Sequence, residues 1–182
     1  GLFLHAALTF PILLKVFTKL DLKTFLKGIA PAQLLAFSTS SSGATLPVTM
    51  ERCEKNLGAS EEVSSFVLPL GSTINMDGTA LYQAVAAVFI AQATGIALTF
   101  GDQLTIIFTA VLASVGTVGV PGAGIIMLLI VLESIGVPSA GIALILGVDR
   151  ILDMLRTVVN VTGDAAVCMI IAEQEGQMGT PD

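Results

Sequence analysis

The chain has 182 residues, 54% of them hydrophobic and only 12% charged, with a formal net charge of -6 and a mean hydropathy of +0.90. Charge at half the roughly 25% typical of soluble domains excludes an ordinary soluble fold and points to a polytopic membrane protein. The acidic balance excludes a basic nucleic-acid footprint, and Cys53 and Cys168 are too few and too far apart for a disulfide framework or a cysteine zinc site.

The chain opens at Gly1 without a starting Met or a basic leader, and is expected to begin inside a larger protein. Residues 1–18 are apolar, contain Pro11, and read as the end of a membrane helix. His5, the only histidine, lies in this run, where a structural role is expected; Ser-His-Asp or Cys-His catalysis would rest on it alone. A short amphipathic stretch carries Lys15, Lys19, Lys23 and Lys27. Residues 29–37 are apolar, the run Ser38-Thr-Ser-Ser-Ser-Gly-Ala-Thr45 forms a polar tip, and a short helix is predicted over about 46–57. Residues 62–96 are long enough to cross a bilayer but are broken at Asn75-Met-Asp-Gly-Thr79. Two short apolar pieces, 103–114 and 125–135, enclose the glycine-rich tip 116–124. The last helix is predicted over about 139–172, with a polar tail from Gly176 to Asp182.

The order short helix, tip, short helix, long helix therefore occurs twice. Paired interrupted apolar segments point to the binding site of a secondary transporter, because non-helical backbone survives at membrane depth only where protein or a water-filled cavity satisfies it. Lys15, Lys19, Lys23, Lys27, Arg52 and Lys55 flank the first tip, which places that side in the cytoplasm. The first tip then dips in from the cytoplasm and the second from outside.

At ~100° per residue, Asp149, Asp153, Arg156, Asn160 and Asp164 share one narrow face of the last helix, with Thr157 at its edge. Each ionisable group in an apolar span costs roughly 2.5–3.5 kcal/mol on insertion scales, and such groups mark ion or substrate paths. The planar guanidinium of Arg156 suits a carboxylate bidentately. Asp153, one turn away, is placed to hold that guanidinium or to accept from a ligand ammonium. A ligand with two carboxylates and one amine would use all these groups; the structural alternative is an ion pair that locks helices together. Asn75-Met-Asp-Gly-Thr79 offers hard oxygen ligands suited to Na⁺, or else is a plain interhelical loop. Asn160 and Asp164 are placed to share a cation with Asn75, or to bond between helices. The serine-rich tip offers N–H groups at a half-helix start, and the glycine-rich tip reads as a loop or a mobile lid. An intramembrane aspartyl protease with Asp77 and Asp153 as its acids explains neither Arg156 nor the tips. A structural or channel-like membrane bundle predicts no saturable ligand.

Four motifs, Ser40-Ser-Ser-Gly-Ala-Thr-Leu-Pro47, Pro69-Leu-Gly-Ser-Thr-Ile-Asn-Met-Asp-Gly-Thr79, Gly116-Thr-Val-Gly-Val-Pro-Gly-Ala-Gly124 and Asp153-Met-Leu-Arg-Thr-Val-Val-Asn-Val-Thr-Gly-Asp164, resemble the dicarboxylate/amino acid:cation symporter family of glutamate and aspartate transporters, over nearly the whole chain. The resemblance implies an all-α membrane protein: an inverted repeat of two re-entrant helical hairpins, each followed by a transmembrane helix, the first of them broken. It implies that residues 1–182 are part of a transport domain, that the scaffold and homotrimer contacts lie upstream, and that this chain does not transport alone.

The implied function is symport of acidic amino acids with sodium across the cell membrane, by a multi-pass protein in the lipid bilayer, without nucleic acid. A proton-coupled or C4-dicarboxylate symporter is the alternative. By the resemblance, Arg156 binds the substrate side-chain carboxylate, Asp153 its amine, and Asn160 and Thr157 its backbone groups. Thr79 lines the pocket, and Ser42 and Val120 offer main-chain contacts. One sodium is implied among the Gly71 and Asn75 backbone carbonyls, the Asn160 carbonyl and the Asp164 carboxylate, a second among backbone atoms of Thr73, Ser114, Val115 and Thr117 under the closing second tip, and a third at Asp77 and Asn75, completed by hydroxyls upstream of Gly1. Some relatives carry a further arginine at the position of Ser40 or of Met154; Arg150, one turn upstream, is a partial replacement.

Overall fold

The computed structural model describes residues 1–179. Eight α-helices run in chain order: α1 (Leu2–Phe17), α2 (Leu22–Thr39), α3 (Ser42–Glu51), α4 (Glu61–Ile74), α5 (Asp77–Ala93), α6 (Phe100–Val115), α7 (Ala123–Ser134) and α8 (Leu146–Gln174). A π-turn, Arg52–Asn56, extends α3, and a 3-10 turn, Ser139–Leu144, precedes α8.

Short polar side chains cap four of the eight helix starts. Asp21 accepts from the Lys23 and Thr24 amides, Ser41 from Ala44 and Ser60 from Val63, while Thr99 and Asp102 close a reciprocal box at the start of α6. Each such cap contributes about 1 kcal/mol. α2 and α3 pack as one helical hairpin and α6 and α7 as a second. The α4–α5 pair and α8 are long and apolar enough to cross a membrane. The 29 residues of α8 reach about 43 Å at 1.5 Å per residue.

Two large apolar cores hold the bundle, with a small third of Ala32, Ala36 and Val161 between α2 and α8. In one, Phe10, Leu14, Phe25, Ile29, Leu68 and Met169 join α1, α2, α4 and the C-terminal half of α8. In the other, Tyr82, Ile90, Ile106, Leu128, Leu132 and Ile142 join α5, α6 and α7. Many large apolar side chains face outward. Phe3, Leu34, Phe66, Phe100 and Leu112 are 71–76% exposed, whereas Asp149, Asp153, Arg156, Asn160 and Asp164 are buried. Such an arrangement suits an apolar surrounding medium rather than water.

Several boundaries differ from expectation. α3 starts at Ser42 rather than near 46, because Ser40 turns left-handed (φ 53°) and Ser41 caps a new helix. The break in 62–96 is confined to Asn75 and Met76, and Asp77, Gly78 and Thr79 begin α5. α8 starts at Leu146 because Pro138 opens the separate 3-10 turn. The polar tail is tied down over Gln177–Gly179: the Ser60 amide donates to the Gln177 carbonyl at 3.1 Å, and the Gly179 amide to that of Gly58 at 2.7 Å. Residues 180–182 of that tail lie outside the described residues.

Candidate functional site

The buried face of α8 is organised around Arg156, which is 2% exposed. Its Nε donates to Asp153 Oδ1 at 3.0 Å and its Nη1 to Asp149 Oδ1 at 3.4 Å. Nη2 stands 2.9 Å from Asp153 Oδ1, an ion-pair distance, but makes no hydrogen bond. Tyr82 supports the guanidinium twice. Its ring lies 4.2 Å below Arg156 Cζ, and its hydroxyl donates to Asp149 Oδ1 at 2.7 Å. The other Asp153 oxygen accepts from the Gly122 amide of the second tip at 2.9 Å. Gly124 lies against the guanidinium so closely that a methyl there would come 2.8 Å from Cζ.

The α4–α5 break faces the next turns of α8. Asn160 Oδ1 accepts from the Gly78 amide at 2.8 Å, and its Nδ2 donates to Thr79 Oγ1 at 3.0 Å. Asn75 Nδ2 donates to Asp164 Oδ1 at 3.0 Å. Glycine is required at position 78, where a methyl would lie 2.7 Å from the Arg156 carbonyl, and a methyl at Gly71 in α4 would push on the Asp164 carboxylate, 2.7 Å from Oδ1. Asp164, Asn75 and Gly71 border a cavity of about 210 Å³ between α4 and α8. Asp77 Oδ1 accepts from the Gly78 amide at 2.8 Å, and its Oδ2 is 2.6 Å from His5 Nε2.

The two tips meet over this face. The Gly119 carbonyl accepts from Ser41 Oγ at 2.6 Å and from the Gly43 amide at 3.2 Å. Beneath them lies a cavity of about 20 Å³ bordered by Ser42, Thr79, Val120, Asp153, Arg156, Thr157 and Asn160, among others. That is room for about one water.

All seven residues expected to contact substrate therefore line one cavity. Of the first expected cation set, Asn75 bonds to Asp164 and the methyl-free Gly71 faces it, while the Asn160 side chain bonds to Gly78 and Thr79. In the second, Thr73 and Val115 are exposed, and the hydroxyls of Thr73, Ser114 and Thr117 bond within their own segments, to Leu70, Val111 and Ala113. The donors expected there are the main-chain oxygens of these residues. They lie at the C-terminal ends of α4 and α6, whose dipoles favour a cation. Asn75 lies in the break and Asp77 begins α5 directly after it. Arg150 is exposed on the outer face of α8, so it does not replace the arginine some relatives carry near the site.

No sequence motif marks Tyr82, Asp149 has no expected role beyond the polar stripe, and His5 is expected to be structural. Tyr82 and His5 are the only residues of their types in the chain, a signal that an apolar context had masked. The protease acids Asp77 and Asp153 have separate partners, His5 and Arg156. Among the described residues no three His, Cys, Asp or Glu side chains converge as a transition-metal site would need.

Residues 1–174 match the sodium:dicarboxylate symporter family. Curated relatives include an excitatory amino acid transporter of Caenorhabditis elegans, 48% identical over 91% of this chain and 33% of its own length. Excitatory amino acid transporter 1 of Homo sapiens is 48% identical over 91% of this chain and 30% of its own length. Excitatory amino acid transporter 5 of Mus musculus is 48% identical over 94% and 31%. The chain spans about a third of the length of these relatives. It belongs to the sodium:dicarboxylate symporter family.

Proposed function

We propose that this chain forms the substrate- and cation-binding part of a sodium-coupled symporter for acidic amino acids, in a multi-pass membrane protein. The observation that carries the reading is a buried guanidinium whose Nη2, 2.9 Å from Asp153 Oδ1, makes no hydrogen bond and borders a cavity shared with Asp153, Thr157 and Asn160. A buried unpaired N–H is costly, and a carboxylate ligand satisfies it. Asp153 then takes the ammonium, and the Asn160 and Thr157 groups take the main-chain end of the substrate.

Charge explains the coupling. Asp77, Asp149, Asp153 and Asp164 surround this face, and Arg156 is its one guanidinium. An anionic amino acid added to that excess would be repelled in a low dielectric. Cations at Asp164 with Asn75, at Asp77, and at the α4 and α6 C-termini offset it. Hard oxygen donors of this kind suit Na⁺. Because the cavity holds about one water, the second tip must release Asp153 from the Gly122 amide to admit a substrate, and then close again. The hairpins are re-entrant in this reading, and the domain moves against a scaffold that also holds a homotrimer together.

The test is calorimetry with L-aspartate and L-glutamate, with and without sodium, on the protein carrying this chain. Binding that rises steeply with sodium is expected. Sodium-independent binding would transfer the reading to protons. Binding of succinate but of neither amino acid would transfer it to C4-dicarboxylates.

A further inference from the structure

His5 is the one ionisable group of α1 that reaches the broken helix. Its Nε2 is 2.6 Å from Asp77 Oδ2, and its Nδ1 is 3.0 Å from Thr9 Oγ1 one turn on. The Phe10 ring meets the imidazole edge-on at a centroid distance of 5.2 Å. Gly163 of α8 completes the enclosure: a methyl there would come 3.4 Å from both Asp77 Oδ2 and Phe10 and 3.3 Å from Asn75 Nδ2. One tautomer satisfies every contact. Nε2–H donates to the carboxylate, and Nδ1 accepts from the Thr9 hydroxyl. Asp77 Oδ1 is held in turn by the Gly78 amide. Each carboxylate oxygen has one donor and keeps a lone pair free.

We propose that His5, itself oriented by Thr9, is a positioning residue that aims the Asp77 carboxylate for cation binding at the α4–α5 break. The inference rests on the proposed cation site at Asp77. Hydrogen-bonded groups behind a cation's ligands fix ligand orientation, and removing them typically weakens affinity 10–100-fold. Here the orienting group comes from α1, so packing of α1 on α5 and α8 tunes a cation site that α1 does not itself line.

The test measures thermal unfolding of the purified protein in detergent as sodium replaces choline, without substrate. A ligand that binds only the folded state raises its stability in proportion to ln(1 + [L]/Kd), so the sodium concentration for a given rise reports affinity. His5→Ala is expected to raise that concentration roughly ten-fold, and His5→Gln, which restores an N–H near the same place, to stay within about two-fold of the parent. Thr9→Val, which keeps its shape and loses its hydroxyl, shifts it in the same direction by less and serves if His5→Ala fails to fold. If His5→Ala lowers the unfolding temperature equally at every sodium concentration, or His5→Gln behaves as His5→Ala, the contact is a plain interhelical tie and the inference is overturned. If the parent itself gains nothing from sodium over choline, the sodium reading fails first.

Discussion

Arg156 shows how one side chain can be both a structural hub and a binding group. Its Nε and Nη1 tie down Asp153 and Asp149, and Nη2 is left over. Arg156→Ala would leave two buried carboxylates without their counter-charge, a change that costs about 3–5 kcal/mol. The expected result is a lower unfolding temperature and loss of aspartate binding far beyond any loss for a neutral analogue such as asparagine; equal losses would remove its assigned role. Arg156→Lys is not expected to rescue, since an ammonium cannot span both aspartates and stack on Tyr82. Tyr82→Phe keeps the ring under the guanidinium and removes only the bond to Asp149. Its expected cost is about 0.5–1.5 kcal/mol, seen as a few-fold weaker aspartate affinity by calorimetry.

At the scale of elements, the informative feature is how short the α4–α5 break is. Only Asn75 and Met76 leave helical geometry, yet their neighbours reach three successive turns of α8 through Gly78 and Thr79 to Asn160, Asn75 to Asp164, and Gly78 to the Arg156 carbonyl. Gly78→Ala drives a methyl to within 2.7 Å of that carbonyl and 2.9 Å of Asn160 Oδ1. The carbonyl is helix backbone and cannot yield as a side chain would, and the Asn160 amide can yield only by leaving its bonds to Gly78 and Thr79. The expected destabilisation is about 1–3 kcal/mol, and the sodium-dependent rise in unfolding temperature should shrink with it. An unchanged sodium response in a folded Gly78→Ala protein would separate the break from cation binding.

At the scale of the molecule, the two hairpin tips close on each other at a single carbonyl, that of Gly119. A methyl at position 119 would lie 3.1 Å from the Gly43 amide nitrogen and 3.2 Å from the Ser72 carbonyl. Gly119→Ala is therefore expected to favour the parted tips and to weaken aspartate binding by about ten-fold, or 1.4 kcal/mol. Hydrogen exchange over residues 116–122 gives an independent check. Substrate with sodium should slow exchange there in the parent and do so less in Gly119→Ala. No protection in the parent would mean that this tip is not the lid.

The sequence by itself determined what lies within one helix turn or one short run. The 3.6-residue period put Asp149, Asp153, Arg156, Asn160 and Asp164 on one face, and the polar interruption at Asn75–Thr79 located the break, because both are local properties of the chain. Caps blurred the boundaries: α3 begins at Ser42 because Ser41 rather than the apolar run starts it. Tertiary structure alone decided which groups meet. His5 and Asp77 are 72 residues apart, Ser41 and Gly119 are 78 apart, and Tyr82 and Asp149 are 67 apart. No periodicity links such positions. Their contacts follow from how α1, α5 and the two hairpins pack around α8, where each buried donor must find whichever acceptor the fold brings within reach.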